Sequence, residues 1–265
     1  MKIAILIDGD NAQASLLKEI IAEVSKHGKA TIRRIYGDWT THTMNSWKNP
    51  LNEFSISPVQ KFAYSSGKNS TDSAMIIDAM DILHNKNVDG FCIVSSDSDY
   101  TGLAKRIREE GLFVMGIGRK TTPIAFQTSC EIFTYTEILQ IEEENEEKPA
   151  TAKEVMDTAP KTLTRKAAVK KKESSNVSKD VKPIIISKLT PDDMAKIDKA
   201  FKIALNEDDA ILISKIGLAL RQIDPSFDSR TFGYKNLTQL FEKLDKYQLI
   251  KNEVNGINYP IVKLR

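Results

Sequence analysis

A run of aliphatic residues at the start of the chain breaks abruptly into polar ones, in "IAILIDGDNA" over residues 3–12. It ends in Asp8, Asp10 and Asn11. Two further stretches carry similar chemistry. "FCIVSSDSDY" places Ser95, Ser96, Asp97 and Asp99 after a second aliphatic run, and "SSGKNSTD" places Asp72 at the head of an amphipathic segment. In a parallel α/β sheet, ligands sit beyond the carboxyl ends of the strands. Aspartates from three separated parts of the chain are therefore expected to converge on one edge. Massed carboxylates repel one another, and a divalent cation relieves that cost. Oxygen-only donors favour Mg²⁺ or Mn²⁺, because zinc prefers His or Cys. A cation held there can activate water and neutralise a phosphodiester under in-line attack. The chemistry this points to is metal-dependent phosphodiester hydrolysis.

Each acid also has a plainer role. Asp8-Gly9 is an ordinary turn pair, Asp72 is a good helix N-cap, and Asp97 or Asp99 can cap the helix that follows. Three strand ends that all carry Asp make capping alone a weaker explanation. Asp78 and Asp81 lie further along the same helix as Asp72. Six residues turn Asp78 to another face, so both are read as surface residues.

The elements that must position these acids follow from the pattern of apolar residues. Residues 1–140 alternate short aliphatic runs with amphipathic ones. "KIAILI", "ATIRRIYG", "VDGFCIVSS" and "LFVMGIG" read as strands, "SISPVQKFAY" holds another beginning after Pro58, and "EIFTYTEIL" closes the series. "LLKEIIAEVSKHG", "TDSAMIIDAMDILHN" and "YTGLAKRIREEG" read as helices. This is the signature of a three-layer α/β/α fold around a central parallel sheet. Residues 141–187 segregate acids from bases among Ala, Ser, Thr and Pro, as a flexible charged linker does. Residues 188–265 read as a small winged-helix-like α+β domain. Its first helix is capped by Thr190 with Pro191 at the first helical position. A second helix ends before Pro225, "NLTQLFEKLDKYQLI" supplies a third, and a hairpin turns at Asn255-Gly256.

Composition bounds the rest. Of 265 residues, 41% are hydrophobic and 28% charged, with a net charge of +2, so any nucleic-acid contact must rest on local patches. Two cysteines and three histidines exclude a disulfide framework and a Cys-rich zinc site. No apolar stretch approaches the about 20 residues a membrane span needs. A soluble, cytoplasmic protein is expected, with no membrane partner.

"ILIDGDN", "STDSAMIIDAMDIL", "FCIVSSDSDYTGLAKRIREEGLFVMGIG" and "CEIFTY" resemble, in order, the NYN domain, a branch of the PIN-like nucleases. The resemblance implies a PIN-like fold and Mg²⁺- or Mn²⁺-dependent cleavage of RNA. It matches Asp8 and Asn11 to the family's first Asp and nearby Asn, Asp72 to the acid opening the central helix, and Asp97 and Asp99 to the S-x-D-x-D pair. Asp10 falls at a tolerant position. Asp8, Asp72 and Asp97 are then expected to hold the metal directly or through water, with Asp99 completing the cluster and Asn11 orienting Asp8 or a water. "PSFDSRTFGYKNLTQLF" resembles the OST-HTH or LOTUS domain, associated with RNA binding or protein contacts. The expected function is an endoribonuclease with a C-terminal module that recruits RNA, single-stranded or structured, or a protein partner. A non-catalytic RNA-binding scaffold is the alternative. "DGDN" is also similar to the D-x-D start of haloacid dehalogenase-like phosphatases, but Asn11 and the isolated Asp72 fit that pattern poorly.

Candidate phosphate grips are Lys68, Arg119 and Lys120, which flank the expected edge, and Arg230 and Lys235 in the C-terminal module. Lys61, Arg33 and Arg34 are further candidates; Arg33 and Arg34 are adjacent in a strand and point to opposite faces, so at most one of them can serve the same surface. Trp39 and Trp47 are expected to pack rather than stack on bases. Phe232 is assigned to the core.

Overall fold

The computed structural model describes residues 1–62, 70–140, 187–205, 210–254 and 257–265. Lys68, the expected linker up to residue 186 and the expected Asn255-Gly256 turn lie outside them. Among the described residues, a parallel sheet is built from β1 (Lys2–Asp8), β2 (Lys29–Gly37), β3 (Ser57–Gln60), β4 (Gly90–Val94), β5 (Phe113–Gly118) and β6 (Ile132–Tyr135). The spatial order is β3-β2-β1-β4-β5-β6.

The alternation in β1 explains the layers. Ile3, Ile5 and Ile7 join one core with Leu17, Ile20 and Val24 of α1 (Leu17–Ser25). Ala4 and Leu6 face the other core, with Met75 and Ala79 of α3 (Ser70–His84) and Leu103 and Ile107 of α4 (Thr101–Glu109). A strand buried on both faces needs apolar residues at every position, which is why "IAILI" shows no polar alternation. After β1 the chain winds outward through β2 and β3. Helix α3 then carries it back to β4 on the other side of β1. Neighbouring strands β1 and β4 therefore lead away in opposite directions, and the carboxyl edge between them is the topological switch point where α/β sheets bind ligands.

One local expectation changes in this half. Pro58 lies inside β3 rather than before it, paired with Ile35. This is tolerated because β3 is an edge strand, where a missing N–H costs no ladder bond. "DWTTHTMNSWKNP" forms a 3-10 segment over His42–Trp47 and a short helix α2 (Lys48–Glu53). Trp47 is buried in the α1-side core, and the Trp39 indole donates to the Val59 carbonyl at 3.1 Å, so both tryptophans pack. A further short helix, α5 (Ile124–Ser129), precedes β6.

In the C-terminal module, α6 (Pro191–Ala204) opens with a capping box. The Thr190 hydroxyl accepts from the Asp193 N–H at 3.2 Å, and the Asp193 carboxylate accepts from the Thr190 N–H at 2.9 Å. Strand β7 (Ala210–Leu212) leads into α7 (Ile213–Ile223), which ends before Pro225 as expected. The third helix, α8 (Leu237–Glu242), is shorter than its sequence suggested. "YQLI" is instead β8 (Tyr247–Ile250), where burial alternates. Tyr247 supplies the reason: its ring packs between Phe201 and Phe241, and its hydroxyl donates to Asp198 at 2.5 Å. A short pair, β9 (Glu253–Val254) with β10 (Ile257–Asn258), precedes the last strand, β11 (Ile261–Leu264), which lies antiparallel between β7 and β8.

The C-terminal module docks on the open side of β6. The Phe133 N–H donates to the Pro225 carbonyl at 2.9 Å, which covers part of an otherwise unpaired sheet edge. Beside it, the Arg230 guanidinium donates to Glu23 of α1 at 2.8 and 2.9 Å and to Asp228 at 2.6 Å. The Glu23 and Arg230 side chains are only 5% and 17% exposed. Arg230, expected from sequence to grip phosphate, is thus committed to a clasp between the two halves of the chain. Burial alone would raise the Glu23 pKa, but the hydrogen bonds and charge of Arg230, helped by Lys26, hold it down from an ordinary 4.5 to about 2.

Glu23→Gln should lower stability by about 3 kcal/mol, because it leaves a largely buried guanidinium short of a partner. The folded carboxyl titrates below its unfolded value, so its contribution is complete above about pH 4.5 and fades as pH falls toward about 2. Thermal unfolding of the wild type and the variant checks this: the gap between them should be wide at pH 6 and narrow at pH 3. A gap independent of pH would contradict the clasp.

Candidate active site

The carboxyl edge at the β1–β4 switch is organised around one buried acid. β1 ends in Asp8, which is 1% exposed. Its Oδ2 accepts from Asn11 Nδ2 at 2.7 Å and from the Ser95 hydroxyl at 2.9 Å, while its Oδ1 accepts from the Asp10 N–H at 3.2 Å. The turn is tight because the Asn11 and Ala12 N–H groups both return to the Asp8 carbonyl. Gly9 is required there: a Cβ would lie 2.8 Å from the Tyr36 carbonyl oxygen and 2.6 Å from the end of Met44.

From the neighbouring strand comes Ser95, also buried, just beyond β4. Its hydroxyl donates to Asp8 and accepts from the Asp97 N–H at 3.1 Å. Asp97 then caps the 3-10 turn Ser98–Tyr100, with its Oδ1 accepting from the Asp99 N–H at 2.9 Å. Tyr100, fully buried beside Phe126, donates its hydroxyl to Asp72 Oδ1 at 2.6 Å. Burial, then the negative charge of Asp8 and the contact with Asp72, push the Tyr100 phenol far above its ordinary pKa, so it stays a donor.

The result is a trio. Carboxylate oxygens of Asp72, Asp97 and Asp99 lie within 4.8 Å of one another; the first two side chains are half-buried and the third is exposed. Oxygens around Mg²⁺ sit about 2.1 Å from the ion, so three carboxylates this close need little movement to share one. The donor set suits a hard divalent cation and contains no His or Cys.

Asp8 is not one of the three. Its oxygens accept from Asn11, Ser95 and the Asp10 N–H. Burial pushes its pKa up; the bonds from Asn11 and Ser95 oppose this, and the charge of Asp72 adds to it. Sequence reasoning gave no role to the two residues that join these acids. Ser95 carried a signal, as the first polar residue after a buried strand. Tyr100 carried none, because its partner is 28 positions away.

The expected cations are more dispersed. Arg119 and Lys120 are exposed at the end of β5, and the Arg119 N–H donates to Ser96 Oγ at 2.9 Å, next to Asp97. The Lys120 ammonium reaches Ser187, immediately before the C-terminal module, at 2.6 Å. Lys235 is exposed beside the Arg230 clasp, in a cleft of about 520 Å³ between the two halves. Arg33 donates to the Phe54 carbonyl at 3.0 Å. Arg34 pairs with Asp78, which also accepts from the Tyr36 hydroxyl. Asp78 is therefore a tie between α3 and β2, a correction to its reading as a surface residue; Asp81 is exposed as expected.

Comparison with known proteins fits this geometry. The sequence profile of the NYN domain matches residues 2–140, and that of the OST-HTH/LOTUS domain matches residues 172–259. No curated protein matches the chain significantly. Among solved structures, a Vibrio parahaemolyticus protein of unknown function is 18% identical, with a TM-score of 0.44 over 51% of this chain and 92% of its own. An uncharacterised Nitrosomonas europaea protein is 19% identical, with a TM-score of 0.27 over 36% of this chain and 91% of its own. Neither likeness bears on function. NYN domains belong to the PIN-like nuclease superfamily, whose members generally use divalent metals, and OST-HTH/LOTUS domains are associated with RNA binding. Among the described residues no helix is long and apolar enough to cross a membrane. With its NYN match spanning more than half its length and a second match beyond it, the chain belongs to the NYN domain family and carries an OST-HTH/LOTUS domain.

Proposed function

We propose that the chain is a metal-dependent endoribonuclease that hydrolyses RNA phosphodiester bonds, acting in the cytoplasm. The observation that carries this reading is the trio Asp72, Asp97 and Asp99 at the switch-point edge, backed by buried supports. These three side chains would hold Mg²⁺ or Mn²⁺. Such an ion, when bound, supplies neutralising charge to the phosphodiester and eases deprotonation of the attacking water.

The chain's own residues do the rest. Ser95 fixes the backbone of Asp97 through its N–H, and Asp8 fixes Ser95. Asn11 donates to the same Asp8 oxygen as Ser95, the Asp10 N–H donates to the other, and together they hold that carboxylate in place. Arg119, exposed on the rim, can draw a phosphate toward the acids. The C-terminal module, with Lys235 on its surface, would bring RNA or a protein partner to the edge. A nucleophilic Asp8, as a phosphatase would need, is disfavoured by its 1% exposure and its three hydrogen bonds.

Labelled single-stranded RNA incubated with the full chain should be cut with Mn²⁺ present and left intact in EDTA. Asp97→Asn should lower cleavage by more than about 100-fold, beyond what loss of an outer support usually costs. Cutting that survives either change would refute the assignment, and RNA binding without cutting in any divalent metal would favour a scaffold. Ser95→Ala removes a support but no ligand, so it should cost about 10- to 100-fold in cleavage rate. Wild-type rates in Ser95→Ala would show that the link from Asp8 to Asp97 is idle.

A further inference from the structure

Asp72 stands apart from its partners in the trio. Asp97 and Asp99 share one turn, where the Asp99 N–H bonds the Asp97 carboxylate and Ser95 bonds the Asp97 N–H. Asp72 comes from a different element, the first turn of α3. Like charge drives it away from the other two whenever no cation is present. An Asp side chain on a helix also has more than one staggered χ1 well. Something must select the well that faces Asp97 and Asp99.

Tyr100 is built to do this. It follows Asp99 directly, so its backbone belongs to the turn that carries the other two acids. It is fully buried in the core that also holds Met75 and Ala79 of α3 and Leu103 and Ala104 of α4, with its ring centroid 6.4 Å from that of Phe126 of α5. The hydroxyl meets Asp72 Oδ1 at 2.6 Å. A carboxylate has about four acceptor sites on its two oxygens, so one bond from a phenol leaves capacity for a cation. A donor rather than a cation is the suitable partner. A lysine or arginine there would neutralise the acid and compete with the metal.

We propose that Tyr100 is a positioning residue of the metal site: its buried hydroxyl holds Asp72 against the repulsion of Asp97 and Asp99, in the orientation that captures a divalent cation. This rests on the metal-dependent reading above. It assigns to the residue after the S-x-D-x-D segment a role beyond packing, one that phenylalanine in its place could not perform.

Tyr100→Phe keeps the ring and removes the hydroxyl. Mn²⁺ binding to the full chain, measured by isothermal titration calorimetry, should weaken about 10-fold. The melting temperature in EDTA should fall by no more than about 4 °C, the scale of one ordinary hydrogen bond. RNA cleavage should fall at limiting Mn²⁺ and recover at saturating Mn²⁺, which a purely structural defect would not do. Phe126→Leu is the control, since it loosens the packing of the ring and keeps the hydroxyl. Unchanged Mn²⁺ affinity in Tyr100→Phe overturns the proposal, as does an equal loss in Phe126→Leu. A wild-type chain that binds no Mn²⁺ overturns the metal-dependent reading and this proposal together, whereas wild-type binding with an indifferent Tyr100→Phe overturns this proposal alone.

Discussion

A carboxylate buried at a sheet edge is costly unless each of its oxygens is hydrogen-bonded, and Asp8 meets that condition with donors from both sides of the β1–β4 junction. Asn11 and the Asp10 N–H come from the turn after β1, and Ser95 comes from the end of β4. The two strands that diverge at the switch point are thereby tied at their tips. Without this tie, the segment carrying Asp97 and Asp99 would lose its anchor on the sheet, because Ser95 also receives the Asp97 N–H. The position of the turn that carries Asp97 and Asp99 depends on the satisfaction of the buried acid.

This divides labour among the aspartates. Asp8 is buried and bonded; its pKa is pushed up by burial and by Asp72 and restrained by Asn11 and Ser95. Asp72, Asp97 and Asp99 are half-buried or exposed and close enough to share an ion. Asp8 commits three of its about four acceptor sites to protein donors, which suits an anchor. The same economy appears at the opposite side of the sheet. There Glu23 is held by Arg230 and Lys26, and the C-terminal module is fixed to α1 through a side chain that its sequence context alone would assign to RNA.

Much of the architecture was legible because it rests on local periodicity. The unbroken aliphatic run of β1 and the amphipathic segments of α1 and α4 announced a parallel sheet covered on both faces. The convergence of Asp8, Asp72, Asp97 and Asp99 on one edge followed from that topology. What escaped depends on distant pairing. Tyr247 ends a helical pattern early because Phe201, Phe241 and Asp198 hold it, and Asp198 is 49 residues away in the chain. Asp78 reads as a surface acid until α3 is laid over Arg34 and Tyr36. The separation of Asp8 from the three ligand candidates, and the bond from Tyr100 to Asp72, turn on side-chain directions that no spacing rule supplies.

The central claim is that one divalent cation is held by Asp72, Asp97 and Asp99 while Asp8 stays bonded to Asn11 and Ser95. Anomalous diffraction from crystals soaked in Mn²⁺ tests this most directly. The predicted result is a single peak bounded by Asp72, Asp97 and Asp99, with Asp8 still bonded to Asn11 and Ser95. A peak ligated by Asp8 after it has left those partners, or no peak at the trio in crystals that bind Mn²⁺ elsewhere, would contradict it.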